Sequence, residues 1–351
     1  MASARSLTLA LYCLRAVGGF ALARHLTRNQ LRILCYHGFS VGDEHEIAPH
    51  MFMRGETFAR RMQILKKRRI PIISLEEGVK RLGNGEIGNA ETVITLDDGW
   101  ASTLSVGLPI LEKFGYPACV YVTTEHLAAG TEVFNVALSY MIRRSGRQTL
   151  TLQGLHSRLD GTYDIGRDPD GAIRALIIAA EAAYPLAERQ RLLQPIARIL
   201  GFDLTEVLSD GRFRLLSSHE LQELCRRGMG IQLHTHTHRL PHSGFQAMAQ
   251  EIEQNREAIE RVAGTTPRHL CYPSGEYGEQ HPQWLRRLGV LSATTCDPGL
   301  NYRSTSVMLL KRFLDSEDSS DVAFEAEVCG ARELLRRIRA KARRLLATRA
   351  A

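Results

Sequence analysis

Residues 92–99 read Thr-Val-Ile-Thr-Leu-Asp-Asp-Gly: five β-branched or apolar residues, then two adjacent carboxylates and a glycine. A short apolar run bounded by a turn signal predicts a strand buried on both faces. Working outward, similar runs occur at 33–36, 71–75, 117–123, 231–233, 269–272, 292–295 and 307–310. Between them lie amphipathic stretches at 57–69, 104–114, 218–227, 245–263 and 281–288; the first carries Phe58, Met62 and Leu65 at helical spacing. Ser217 or Ser218 can cap the helix that follows them. Strands alternating with helices predict a parallel sheet with crossover helices. Up to eight such strands suit a closed β/α barrel, with an open doubly wound sheet as the alternative. Residues 126–213 break the rhythm. They are rich in helix formers and too long for a plain connection, which predicts a helical subdomain beside the barrel mouth.

The chain has 351 residues, 44% hydrophobic and 24% charged, which excludes a disordered or multi-span membrane protein. Its net charge of +7 is concentrated at the ends. Residues 1–32 hold five arginines and no acid, and residues 331–351 hold eight basic groups and one acid, Glu333, so the body between is mildly acidic. A groove-wide nucleic-acid footprint is not expected. Residues 6–23 are apolar but are interrupted by Arg15 and by Gly18-Gly19, which disfavours both a signal peptide and a spanning helix. A helix on the domain or at a membrane surface is expected instead. Residues 331–347 predict a basic amphipathic helix, either docked outside the domain or attached to anionic lipid or an acidic partner. Seven cysteines, an odd number without a Cys-x-x-Cys pair, argue against a disulfide framework or a cysteine zinc site. Cys35, Cys119, Cys271 and Cys296 sit in apolar runs and read as small buried hydrophobes; a reducing compartment is the simplest reading. Gly83-Asn84-Gly85-Glu86-Ile87-Gly88 spells a dinucleotide fingerprint but precedes a strand instead of following one, so it is set aside.

Four polar clusters directly follow strand candidates: Tyr36-His37-Gly38, Asp97-Asp98-Gly99, His234-Thr235-His236-Thr237-His238 and Pro273-Ser274-Gly275-Glu276. In α/β proteins such loops converge on one rim, where the active site sits. Adjacent aspartates repel unless a cation compensates, and a divalent metal would leave one as ligand and one as base. A plain Asp-Gly turn is the bland alternative. Three histidines within five residues place His234 and His238 on one face if the loop is helical, or His234 and His236 if it is extended. Both arrangements suit zinc, and a set of two histidines and an aspartate leaves positions open for water.

Thr95-Leu96-Asp97-Asp98-Gly99 resembles the TFDDG motif of the polysaccharide deacetylases, the NodB-homology family of carbohydrate esterases, and His234 to His238 matches that family's H-[ST]-x-x-H motif. Tyr272-Pro273-Ser274-Gly275 resembles the third motif, and Asp297 to Asn301 a later loop of exopolysaccharide-cluster members. The resemblance covers about 31–125 and 214–315. It implies a distorted (β/α)7-type barrel, here with a helical insertion, as one domain over 31–330 between a basic, apolar N-terminal segment (1–30) and a basic C-terminal helix (331–351). It further implies hydrolytic removal of acetyl groups from N-acetylated sugars. Asp97 would be the general base and Asp98, His234 and His238 the ligands of a divalent metal, usually zinc and sometimes cobalt. The loop Tyr272, Pro273, Ser274 and Gly275 would offer a backbone N–H to the oxyanion. Two departures stand out. Cys271 occupies the place of an arginine that orients the base in many members, and Leu309-Leu310-Lys311-Arg312 lacks the histidine that usually serves as acid. Cys35-Tyr36-His37 resembles the N-terminal motif of a subgroup acting on poly-N-acetylglucosamine, which makes His37 the expected acid. The expected substrate is an N-acetylated glycan or a lipid-linked sugar, with a cytoplasmic location, peripheral to the inner membrane through the basic ends, or export as the alternative. Trp284 and Tyr277 are candidates for sugar stacking, with buried packing the competing reading. An amidohydrolase-type metal barrel and a non-catalytic sugar- or lipid-binding barrel are the rival functions.

Overall fold

The computed structural model describes residues 4–127 and 130–350. Seven strands form the central sheet: β1 (Arg32–Tyr36), β2 (Thr92–Leu96), β3 (Cys119–Val122), β4 (Gly230–Leu233), β5 (His269–Cys271), β6 (Ser292–Thr294) and β7 (Phe313–Leu314). Their order is β6-β5-β4-β3-β2-β1-β7 and every pairing is parallel. All residues of β1 and β2 are buried, as continuous apolar strands between helical layers require. Residues 307–314 link the two ends of the sheet. The Ala293 N–H donates to Val307 O and the Leu310 N–H to Ala293 O, both at 2.9 Å, before β7 pairs with β1. The sheet thus curls into a distorted seven-stranded β/α barrel.

Helices cover the outside of the barrel, including Gly55–Lys67, Leu75–Asn84, Leu108–Phe114, Ser218–Arg226, Phe245–Ala263, His281–Arg287 and Asp321–Val328. Phe58, Met62 and Leu65 of the first pack into the same core as Leu34, Ile94, Val120 and Leu233 of the sheet. Ser217 caps the helix Ser218–Arg226, in a capping box closed by Glu220. Two expected strands differ. Within 71–75 only Ile72 bridges β2, because Ser74 accepts the Glu77 N–H at 3.2 Å and opens the next helix there. Within 307–310 only Leu310 forms a bridge, and the closing strand is the two-residue β7 further on, where β1 offers a partner.

The insertion has its own core, built from Phe134, Leu138, Met141, Leu176, Ile196 and Leu200 among others. It is mostly helical but includes an antiparallel hairpin, Thr149–Leu152 with Gly161–Asp164, that the helix-former content hid. The Thr-Leu-Thr-Leu alternation faces threonines outward and leucines inward. At the N-terminus, helices Ala4–Ala16 and Gly19–Leu26 pack through Leu11, Phe20 and Ala23 against Val322 and Ala326. The C-terminal helix spans Ala331–Ala350. No single helix among the described residues is long and apolar enough to cross a membrane. All seven cysteines are free thiols. Cys35, Cys119 and Cys271 are buried as expected, whereas Cys296 is only half-buried beside the Gly275 turn.

Candidate active site

The C-terminal ends of β1, β2, β4 and β5 bring His37, Asp97, Asp98, His234 and His238 together at one rim. The turn after β2 puts Asp98 at φ +72°, so the two aspartates diverge although adjacent. Asp98 Oδ1 lies 3.1 Å from His234 Nε2 and 3.3 Å from His238 Nε2. Trp100 Nε1 donates to Asp98 Oδ2 at 2.9 Å and fixes the carboxylate plane. His234 Nδ1 faces Cys271 O at 2.9 Å; a carbonyl only accepts, so Nδ1 carries a proton and Nε2 is the atom turned to Asp98. Burial opposes ionisation of Asp98, but the hydrogen bonds from His234 and His238 outweigh it and hold the carboxyl well below its usual range. Burial likewise opposes a charge on His234, and Asp98 and Asp97 together raise its pKa.

Asp98, His234 and His238 offer ligand atoms that all lie within 4.8 Å of one another, with His238 open to the cleft. Two imidazoles and a carboxylate suit a catalytic zinc-type ion, and the other carboxylate oxygen and both Nδ1 positions lie outside that set. Asp97 also falls in two groups of this kind, one with Cys35 and His37 and one with His234 and Cys271. There, however, a guanidinium already occupies the carboxylate: Arg312 donates from Nη1 and Nη2 to the two Asp97 oxygens, each at 2.7 Å. A cation at Asp97 would meet that charge, so the fit favours the Asp98 set.

His236 is turned away from this set. Its carbonyl accepts from the Thr124 and Glu125 N–H groups and from Thr123 Oγ1, and its Nδ1 faces Thr124 Oγ1 at 2.9 Å. The loop is held from behind by the helix Phe245–Ala263. Glu251 accepts from the His236 and Thr237 N–H groups, and fully buried Asn255 accepts from the His234 N–H while donating to Val122 O. Thr235 and His238 both take positive φ in this bend.

Asp97 is almost fully enclosed. Cys35 and Cys271 stand 3.4 Å from its Oδ2 as neutral thiol donors, burial having pushed both thiols well above their ordinary pKa. Burial would raise the Asp97 pKa too, but Arg312 prevails and lowers it from 3.8 to about 2. Arg312 is itself buried and is anchored to Thr295 O at 3.0 Å and Thr95 Oγ1 at 3.2 Å. The arginine missing before Tyr272 is therefore supplied from the segment before β7. The sequence reading passed over Arg312; its only signal was a cation at the end of an apolar run. His37, 21% exposed, has Nε2 3.9 Å from Asp97 Oδ2.

The third motif contributes less than its length suggests. Tyr272 is buried against Tyr277 with ring centroids 5.0 Å apart, and Pro273 is buried. The Tyr272 N–H goes to Thr294 O and the Gly275 N–H to Tyr272 O, and proline has none, which leaves the Ser274 N–H as the group this loop can offer. Gly275 is required, since its φ is +72° and a Cβ there would meet Cys296 Cβ at 2.7 Å. Trp284 packs beside Phe245 and His281 rather than lining the cleft. The cleft itself, about 600 Å³, runs from Asp98, His238 and Ser274 to the insertion's Phe134, Glu181 and Arg189. That size suits one or a few sugar units.

A family model for polysaccharide deacetylase matches residues 200–293, which include His234, His238 and the 272–275 loop but not Asp97 and Asp98. Among curated proteins none matches the chain. Among solved structures, the deacetylase PplD of Streptococcus pyogenes, in complex with acetate, is 18% identical with a TM-score of 0.56, covering 85% of this chain and 98% of its own. IcaB from Ammonifex degensii is 15% identical with a TM-score of 0.55, covering 86% and 97%. A polysaccharide deacetylase of Bacillus cereus, BC0361, is 15% identical with a TM-score of 0.54, covering 85% and 69%. Over residues 200–293 the chain thus matches the polysaccharide deacetylase model, and its fold is that of solved deacetylases.

Proposed function

We propose that this chain removes acetyl groups from N-acetylated sugars of a glycan, with a divalent metal held by Asp98, His234 and His238. The observation that carries the reading is the separation of two adjacent aspartates into two environments, one facing imidazoles and one clamped by Arg312. A divalent ion, zinc by the nature of the ligand set, supplies Lewis-acid polarisation of the acetyl carbonyl and acidifies water. Asp97, the carboxylate held ionised by Arg312 beside the ligand set, takes a proton from the attacking water. The Ser274 N–H stabilises the charge that develops on the carbonyl oxygen. His37 delivers a proton to the departing amine nitrogen, so the products are acetate and a free amino sugar. The insertion residues Glu181 and Arg189 contact neighbouring sugars of the chain.

One observation favours a second assignment of roles. Asp97 is 3% exposed with both oxygens on Arg312, whereas the His37 side chain is 21% exposed and lies 3.9 Å from Asp97. In that reading His37 takes the proton from water and Asp97 orients it. The deacetylase function itself is tested by acetate release from N-acetylated glucosamine oligomers by the metal-loaded protein, with Asp97→Asn beside it. No release from either protein, with metal bound, counts against it.

A further inference from the structure

The largest concentration of exposed apolar side chains lies far from the active site. Of eleven large apolar side chains exposed among the described residues, six fall between residues 7 and 26 and a seventh, Ile338, on the last helix. Helix Ala4–Ala16 docks a narrow stripe, Leu11 and Leu14, onto the domain. Its outward residues, such as Leu9, Tyr12 and Ala16, carry no charge, and Val17 beyond it is 81% exposed. The one charge in 6–17, Arg15, is tied to Glu325 at 3.5 Å. A helix face in water is normally polar, so this face is built for a covering.

Basic groups flank the adjoining helix Gly19–Leu26. Leu26 and Ile338 line one groove with Arg337 and Lys341. A second groove, about 480 Å³, carries Arg24, His25, Arg28, Lys67, Arg68 and Arg69 against a single carboxylate, Glu325, which Arg15 and Arg68 hold. Arg24 is spent on Arg68 O and Arg69 O, while Arg28, Lys67 and Arg69 are exposed. Arg69 and Asn89 precede β2 and its Ile72 bridge, so these groups flank the N-terminal ends of the strands, opposite the rim that carries the aspartates.

We propose that the terminal helices form a docking surface for an anionic lipid bilayer. Leu9, Val17, Leu22 and Leu26 enter the headgroup boundary, and Arg28, Lys67, Arg69, Arg337 and Lys341 meet the lipid phosphates. Apolar centre and cationic surround together fit lipid better than a protein partner, which would need matching carboxylates. Contact is peripheral, because the two N-terminal helices are bent by 81° and neither alone can span. The active-site rim then points away from the bilayer, toward glycan in the aqueous phase. The inference does not depend on the hydrolytic reading.

The test is sedimentation of the full chain with phosphatidylcholine vesicles, with and without phosphatidylglycerol, at low and high salt. The expected result is at least about tenfold tighter binding to the anionic vesicles, weakened by salt. Val17→Glu with Leu22→Glu, and separately Lys67→Glu with Arg69→Glu, should each lower that binding about tenfold, with thermal melting unchanged. No binding, equal binding to neutral vesicles, or indifference to both double variants overturns the proposal. So does lipid-free self-association that Val17→Glu abolishes, which would make a second copy the occupant. Retention in the bilayer after alkaline carbonate extraction would show a spanning segment and overturn the peripheral contact.

Discussion

Two adjacent aspartates share one turn and meet opposite partners. Asp98 faces two imidazoles; Asp97 faces a guanidinium and two thiols. Arg312 matters through its fork, which sets both Asp97 oxygens in one plane, and lysine cannot reproduce it. Arg312→Lys is predicted to lower kcat about tenfold to a hundredfold, with metal content retained and KM little changed. Arg312→Ala leaves a buried carboxylate unpaired and should cost about 3–5 kcal/mol in urea unfolding. Because Asp97 is held at about 2 against 3.8 when free, its stabilising share is complete above about pH 4 and is lost as pH falls toward 2. In Arg312→Lys the acid limb of kcat/KM should therefore move to higher pH. His37 is separated from Asp97 by leaving group. A phenolate departs without a proton, so His37→Gln should abolish amide cleavage yet keep hydrolysis of an aryl acetate, while Asp97→Asn loses both. Loss of both in His37→Gln would make histidine the base.

At the scale of the element, the helix Phe245–Ala263 holds the histidine loop. Asn255 is buried and joins His234 N–H, Val122 O and Thr124 Oγ1. Asn255→Ala would leave these groups unpaired, predicting a loss of about 2–3 kcal/mol in stability and roughly tenfold or more in metal affinity by chelator competition. This residue was legible in principle: Met248, Ile252, Asn255 and Ile259 share one buried stripe, and an asparagine there requires partners. The strands and the helices between them were readable because buried parallel strands are continuous apolar runs and crossover helices are amphipathic. What escaped was set by distant partners. The closing strand is chosen by β1, and the hairpin at 149–164 by its pairing across eight residues of turn, written among helix formers. Spacing alone likewise left His236 and His238 as alternative partners of His234, because the contact that turns His236 away, its carbonyl on the loop after β3, is distant in sequence.

Across the whole molecule, barrel closure and site assembly are one event. Arg312 stands in the segment that joins β6 to β1, and it reaches Thr95, Asp97 and Thr295 from there. A metal held by Asp98, His234 and His238 would tie the end of β2 to the end of β4. Zinc is predicted to raise the melting temperature of the wild-type and Asp97→Asn proteins, as a ligand of the folded state does, and to leave His234→Ala unmoved. Equal shifts in all three would place the ion elsewhere. The insertion walls the cleft, and its apolar cluster reaches the barrel side through Phe52 and Trp100. The most direct measurement is acetate released from N-acetylated glucosamine oligomers by metal-loaded wild-type protein, compared with Asp97→Asn and His234→Ala at known metal content. The account predicts release by the wild type, none by Asp97→Asn with its metal in place, and none by His234→Ala with its metal lost. Full release by Asp97→Asn would contradict it.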